Sequence, residues 1–166
     1  MSTQNNLKDA FAGESQANRK YLAFAKKADA EGFKQIAKLF RAAAEAETIH
    51  AHAHLRAMGG IKSTADNLQA GIDGEAYEFE QMYPKFVAEA EKEGNKAALA
   101  SFKYAMAVEK IHHGLYSDAL KTFKTGHDLN TAAIYICPVC GNTVIGTVPD
   151  KCGICGVPKD KFVEVK

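Results

Sequence analysis

No stretch of this chain of 166 residues stays apolar for the roughly 20 residues that a membrane-spanning helix needs. Neither sign of charge dominates, since 21 lysines and arginines stand against 20 aspartates and glutamates. With no basic cluster and no aromatic-basic patch, nucleic acid is not an expected partner. Met1 to Asp9 lacks a charged-then-apolar leader, and cysteine is absent before Cys137. These absences predict a cytoplasmic protein without disulfides. Proline is scarce too, and of the four present only Pro84 falls inside a helical pattern.

Four such patterns are present. Leu7 to Asp29 reads as a helix closing at Glu31-Gly32, and Phe33 to Met58 as a second, stopped by Gly59-Gly60. A third begins among the capping side chains Ser63 to Asp66 and runs to Glu93, with a bend expected at Pro84. Gly94-Asn95 turns into a fourth, Ala97 to Lys124, and a polar linker follows to Ala132. Their apolar stripes are Leu7, Phe11, Tyr21 and Ala28; Phe33, Ile36, Phe40 and Ala43; Leu68, Ile72, Phe79, Met82 and Phe86; and Phe102, Met106, Tyr116, Ala119 and Phe123. Each stripe is broken by an acid.

Those acids are Glu14, Glu47, Glu75 and Glu109, and two of them open a Glu-x-x-His motif, Glu47 to His50 and Glu109 to His112. A carboxylate in an apolar interior costs several kcal/mol and normally protonates, so several converging there need a cation. Residues three apart share a helix side, so each motif can offer an oxygen and an imidazole to neighbouring metals. Glu78, three residues after Glu75, adds a further carboxylate. The candidate bundle ligands are therefore Glu14, Glu47, Glu75, Glu78, Glu109, His50 and His112.

Aligning Gly13-Glu14 with Gly74-Glu75 places Glu47 and Glu109 thirty-three and thirty-four residues on, with Phe40 opposite Phe102. The chain reads as a duplicated helical hairpin in which each copy supplies half a metal site. A parallel crossover between the second and third helices would have to climb roughly 30 Å. Gly59 to Ala65 spans at most about 25 Å when extended. The bundle is therefore either antiparallel up-down-up-down or completed by a partner chain in a domain-swapped dimer.

Beyond the linker, Cys137-Pro-Val-Cys140 and Cys152-Gly-Ile-Cys155 form two Cys-x-x-Cys knuckles. Two knuckles complete a tetrahedral thiolate site, and the cysteines alone leave zinc and iron equally open. The predicted organisation is mainly α, with a ferritin-like four-helix bundle over residues 1–130 and a small rubredoxin-like β/knuckle domain over 131–166.

Taken together the motifs resemble those of rubrerythrins: Ala12-Gly-Glu-Ser-Gln16, Glu45-Ala-Glu-Thr-Ile-His50, Asp73-Gly-Glu-Ala-Tyr-Glu78 with Met82-Tyr-Pro84, Ala107-Val-Glu-Lys-Ile-His112, and the two knuckles with Gly156-Val-Pro-Lys159 and Phe162. The resemblance implies two irons in the bundle and one in the tetrathiolate site, where zinc can replace it on purification. It implies a cytoplasmic peroxidase of oxidative-stress protection that reduces hydrogen peroxide to water. The electrons would come from NAD(P)H through a separate reductase or rubredoxin, and the tetrathiolate iron would reload the two-electron di-iron site in two steps. It favours the swapped homodimer, makes Glu78 and His50 the ligands that exchange with oxidation state, and gives Tyr21 and Tyr83 hydrogen-bonding roles around the metals.

His52, His54 and His113 are read as surface or packing residues rather than ligands. Asn142 stands where rubredoxins often carry tyrosine, and Gly153 where proline is common. Other functions compatible with the motifs are a ferroxidase or iron-handling protein, an oxygen-activating di-iron enzyme, and a zinc-stabilised binding protein without redox activity. The first leaves the cysteines without a task, and the second lacks an evident organic substrate pocket.

Overall fold

The structure is a computed structural model that describes residues 2–166. It divides into one unit ending at Lys62 and a second from Ser63 to Lys166. In the first, α1 (Thr3–Ala30) packs on α2 (Lys34–Ala57). Ser2 caps α1 by accepting the Asn5 N–H at 3.3 Å. Gly32, at φ +88°, makes the turn that L side chains avoid.

The seam between α1 and α2 is built from small residues: Ala25, Ala28, Ala37, Ala44 and Ala51 are all buried. Buried Asn18 crosses it, donating to the Ala44 carbonyl at 2.7 Å and to Thr48 Oγ1 at 2.8 Å. The sequence stripe is displaced from this seam. Phe33 and Ile36 remain 56% and 49% exposed, and Leu39 is 68% exposed. Alanines let two helix backbones approach closely, and the bulky neighbours are thereby turned onto an outer face.

The second unit contains α3 (Thr64–Tyr77), a π-helical turn (Glu78–Met82), α4 (Tyr83–Glu93) and α5 (Lys96–Lys124), with α3 and α4 both packing on α5. Ser63 accepts the Asp66 N–H at 3.2 Å, so the expected cap is present, and Asn95 of the Gly94-Asn95 turn also caps, accepting the Ala98 N–H at 3.1 Å. A Cβ on Gly71 would lie 3.1 Å from the Tyr116 ring, so glycine there permits the close α3–α5 approach.

The expected bend at Pro84 takes another form. The helix widens just before the proline, and the Tyr83 N–H donates five residues back to the Glu78 carbonyl. Pro84 then lies in the first turn of α4, where its missing donor costs little. The π turn also accounts for an offset between the two halves. Tyr21 lies seven residues after Glu14, but Tyr83 lies eight after Glu75. That extra residue is absorbed in the π turn, and the aromatic clusters come back into register. Tyr21, Phe24 and Phe40 have ring separations of 6.3, 6.2 and 5.6 Å, while Tyr83, Phe86 and Phe102 have 6.1, 6.2 and 5.5 Å.

After α5, three short strands form an antiparallel sheet in the order β2-β1-β3: β1 (Ile134–Ile136), β2 (Thr143–Ile145) and β3 (Val163–Glu164). In the same module Cys137, Asn142, Val148 and Cys152 are buried. No helix among the described residues is long and apolar enough to cross a membrane.

Candidate metal centres

Each helical unit gathers one trio of donors. In the first, α1 supplies Glu14 and α2 supplies Glu47 and His50, with one donor atom from each within 4.8 Å of the others. His50 Nδ1 lies 3.0 Å from Glu47 Oε2 and 4.0 Å from Glu14 Oε2. In the second, α3 supplies Glu75 and α5 supplies Glu109 and His112, again within 4.8 Å. His112 Nδ1 lies 2.8 Å from Glu109 Oε2 and 3.8 Å from Glu75 Oε1. The same side-chain arrangement thus occurs twice, as the duplication predicts.

The acids strain against one another as like charges do. The hydrogen bond between Glu14 and Glu47, with burial, raises the Glu14 carboxyl above its ordinary range, while the same bond and His50 lower that of Glu47. Burial, reinforced by Glu109 and then Glu78, pushes Glu75 up to about 7. A carboxyl raised this far is one that a cation among the acids would favour in its charged form, and the donor chemistry of both trios, carboxylates with one imidazole, suits iron.

Glu78 lies outside both trios. Burial and then the Glu109 charge raise its pKa, so it is close enough to that trio to feel it. Tyr83 is also shifted upward, by burial and then by Glu78, Glu109 and Glu75, which places its phenol in the same electrostatic field. Tyr21 is placed by its rings, against Phe24 and Phe40. His52 is exposed, and His113 packs edge-on against Phe79 with centroids 5.5 Å apart. His54 is half-buried, and its charge acts on Glu14 without its joining the trio.

The four cysteines bring their sulfurs within 4.8 Å of one another and form no disulfide. Cys137 and Cys155 are 3.5 Å apart at sulfur, and Cys140 and Cys152 are 3.6 Å apart. These separations suit the edges of a tetrahedron around one thiophilic ion. Backbone amides converge on them: Asn142 N–H on Cys140, Ile154 and Cys155 N–H on Cys152, and Val157 N–H on Cys155. Burial pushes the Cys152 thiol up, but the Cys155 and Ile154 amides, together with the Cys140 and Cys155 side chains, outweigh it and bring it down to about 6.

Sequence reasoning missed how the knuckle meets the helix. His112 Nε2 lies 2.9 Å from Thr143 Oγ1, and that hydroxyl donates onward to the Gly141 carbonyl at 3.3 Å. Beside this pair, a Cβ on Gly141 would lie 3.9 Å from buried Val108. A histidine that bonds through Nε2–H keeps the Nδ1 lone pair free for a metal. Nothing in the spacing of Thr143 relative to His112, thirty-one residues earlier, announces this contact.

Helical hairpins that carry paired carboxylate and histidine donors, followed by a four-cysteine knuckle module, define a carboxylate–histidine di-metal protein with an attached tetrathiolate site. The rubrerythrin family description matches residues 5–120, and that of the rubrerythrin rubredoxin-like domain matches residues 135–163. The chain belongs to the rubrerythrin family. Rubrerythrin-2 of Clostridium acetobutylicum is 38% identical over 96% of this chain and 95% of its own length. Nigerythrin of Nitratidesulfovibrio vulgaris is 40% identical over 97% and 85%. The solved structure of partially reduced nigerythrin superposes with a TM-score of 0.60 at 36% identity, covering 99% of this chain and 87% of that one. The ferritin-like helical fold and the rubredoxin-like module follow from membership, as do the metals: a di-iron centre in the helical part and an iron at the four cysteines. The family's proteins are oxidoreductases.

Proposed function

We propose that this protein reduces hydrogen peroxide to water, H2O2 + 2e⁻ + 2H⁺ → 2H2O, with electrons delivered from NAD(P)H by a reductase or rubredoxin. The observation that carries the reading is the contact of the four-cysteine knuckle with the helical donors, through Thr143 and His112. A one-electron site fastened to a histidine of a second metal site suits repeated reloading of that site. The irons supply the electrons when bound. This chain's part is to hold them through Glu14, Glu47, His50, Glu75, Glu109 and His112, with Glu78 as the additional carboxylate that exchanges with His50, and through Cys137, Cys140, Cys152 and Cys155.

His50 suits exchange better than His112. Its side chain is 54% exposed against 24%, and Thr143 fixes the second ring. Tyr83 and Tyr21 serve as hydrogen-bonding neighbours of the carboxylates. Residues 1–130 form the di-iron module and 131–166 the electron-transfer module. The functional unit is a homodimer with exchanged hairpins, as the exposed Phe33, Ile36, Leu39 and Ile49 support. Free thiols throughout suit the reducing cytoplasm.

The test is anaerobic stopped flow with iron-loaded, fully reduced protein mixed separately with hydrogen peroxide and with dissolved oxygen. Fast oxidation by peroxide, slow oxidation by oxygen and the return of the ferric tetrathiolate colour are expected. A preference for oxygen would replace this reading with ferroxidase chemistry.

A further inference from the structure

Asn142 is one of two residues of the knuckle module, with Gly153, that depart from the rubredoxin pattern. It is 6% exposed, one of two buried polar side chains in the chain's described residues, and a buried amide needs partners. Its backbone carbonyl accepts the Cys137 N–H at 2.9 Å, and its backbone N–H points at Cys140 sulfur. Its side-chain Nδ2 donates to Cys152 Sγ at 3.7 Å. One residue of the first knuckle therefore reaches a sulfur of the second. Cys152 collects three N–H dipoles, from Ile154, Cys155 and Asn142, and is itself only 3% exposed.

We propose that Asn142 is a positioning residue of the tetrathiolate site, whose side-chain amide bonds Cys152 sulfur across the two knuckles and raises the reduction potential of the bound iron. The physical reason is charge. Four thiolates around ferric iron carry one net negative charge, and adding an electron makes it two. An N–H aimed at a sulfur stabilises the more negative state more, so the electron is held more readily. Burial strengthens the effect, because little water competes at Cys152. A side chain without an N–H or O–H at position 142 would offer this sulfur no donor, so the amide makes the module a stronger electron acceptor from its reductase. The inference rests on iron at the four cysteines and not on peroxide as the oxidant.

Two measurements on the full-length protein test it. In protein loaded with cadmium-113 at the cysteines, scalar coupling between the metal and the Asn142 Hδ2 protons is expected, because it passes through an N–H···S bond. In the iron form, N142L keeps the size of the side chain and removes the donor. Its reduced-to-oxidised ratio at a fixed solution potential should fall about tenfold, which is about 59 mV for a one-electron couple. N142D, which exchanges the donor for an acceptor, should fall further and serves if N142L fails to bind iron. Absence of the cadmium coupling, or a potential unchanged in whichever variant binds iron, would overturn the proposal. A protein whose cysteines take up no iron would instead remove the iron assignment itself.

Discussion

Thr143→Val is the substitution that most directly tests the link between the two metal-binding parts. Valine matches threonine in shape and suits a strand, so β2 and its pairing with β1 should survive. What disappears is the hydroxyl that lies 2.9 Å from His112 Nε2 and 3.3 Å from the Gly141 carbonyl. A neutral hydrogen bond contributes about 0.5–1.5 kcal/mol net. Removing the outer partner of a metal-bound histidine costs about 10–100-fold in affinity. The second leg is long, so the loss should fall near the lower end, about tenfold or about 1.4 kcal/mol. The assay is an anaerobic cobalt(II) titration of metal-free protein against a competing chelator. The tetrathiolate site is filled first and serves as an internal control. Thr143→Ser, which keeps the hydroxyl, should bind as wild type does. If T143V binds within twofold of wild type, or T143S is as weak as T143V, the hydroxyl does not hold His112.

Glu78→Ala should slow peroxide turnover at least tenfold while leaving the thermal midpoint of the metal-free protein within a few degrees, since Glu78 lies outside the Glu75–Glu109–His112 trio; wild-type turnover would remove Glu78 from ligand exchange. The raised Glu75 pKa sets a sign for pH dependence. The folded protein binds more protons than the unfolded chain between the ordinary carboxyl value of 4.5 and about 7, so the metal-free protein should lose stability as pH rises through that window. The full shift corresponds to about 3 kcal/mol, and solvent at the partly open trio reduces this to about 1–2. Urea midpoints from pH 4.5 to 7.5 would check it, a rising trend contradicting it, and Glu75→Gln should flatten the curve. Finally, sedimentation should find a dimer, and Leu39→Glu should dissociate it by placing a charge on the exposed apolar face of α2. A monomer that retains both bundle metals would rule out the exchanged hairpins.

Much of this was legible in the sequence because the donors interrupt apolar stripes. Glu47 to His50 and Glu109 to His112 are helical motifs, and helix geometry alone puts their ends on one side. The caps Ser63 and Asn95 and the glycine stops follow from short-range backbone needs, which local sequence encodes. The α1–α2 seam was misplaced because periodicity marks which residues avoid water, not which neighbour covers them. Ala37, Ala44 and Ala51 carry little hydrophobic signal, yet they fill the seam, while Phe33 and Ile36 serve another surface. The π turn was present as a one-residue offset between Tyr21 and Tyr83, visible only once both halves were aligned. Thr143 and Asn142 were out of reach for a different reason. Their partners, His112 and Cys152, are fixed by the docking of loops and by knuckle geometry, for which no sequence period exists.

The duplication also explains why the two halves are unequal. A repeated hairpin carrying one glutamate on its first helix and Glu-x-x-His on its second would give two equivalent ends and no reason for either ligand to move. Three departures break that equivalence, all in the second unit. The extra residue of the π turn separates Glu75 from Tyr83 where Glu78 enters, and Ala17 occupies the corresponding place after Glu14. Thr143 holds the His112 ring from outside, whereas the side chain of His50 is 54% exposed. The knuckle module meets α5, with Gly141 close to Val108, so on the function proposed above an electron delivered to the cysteines would meet the fixed histidine. On the proposed function, a side that receives electrons and a side that releases a ligand would require different supports for the same trio. In this chain the second unit supplies those supports as an inserted helical residue with its added glutamate, a threonine, and the knuckle module against α5.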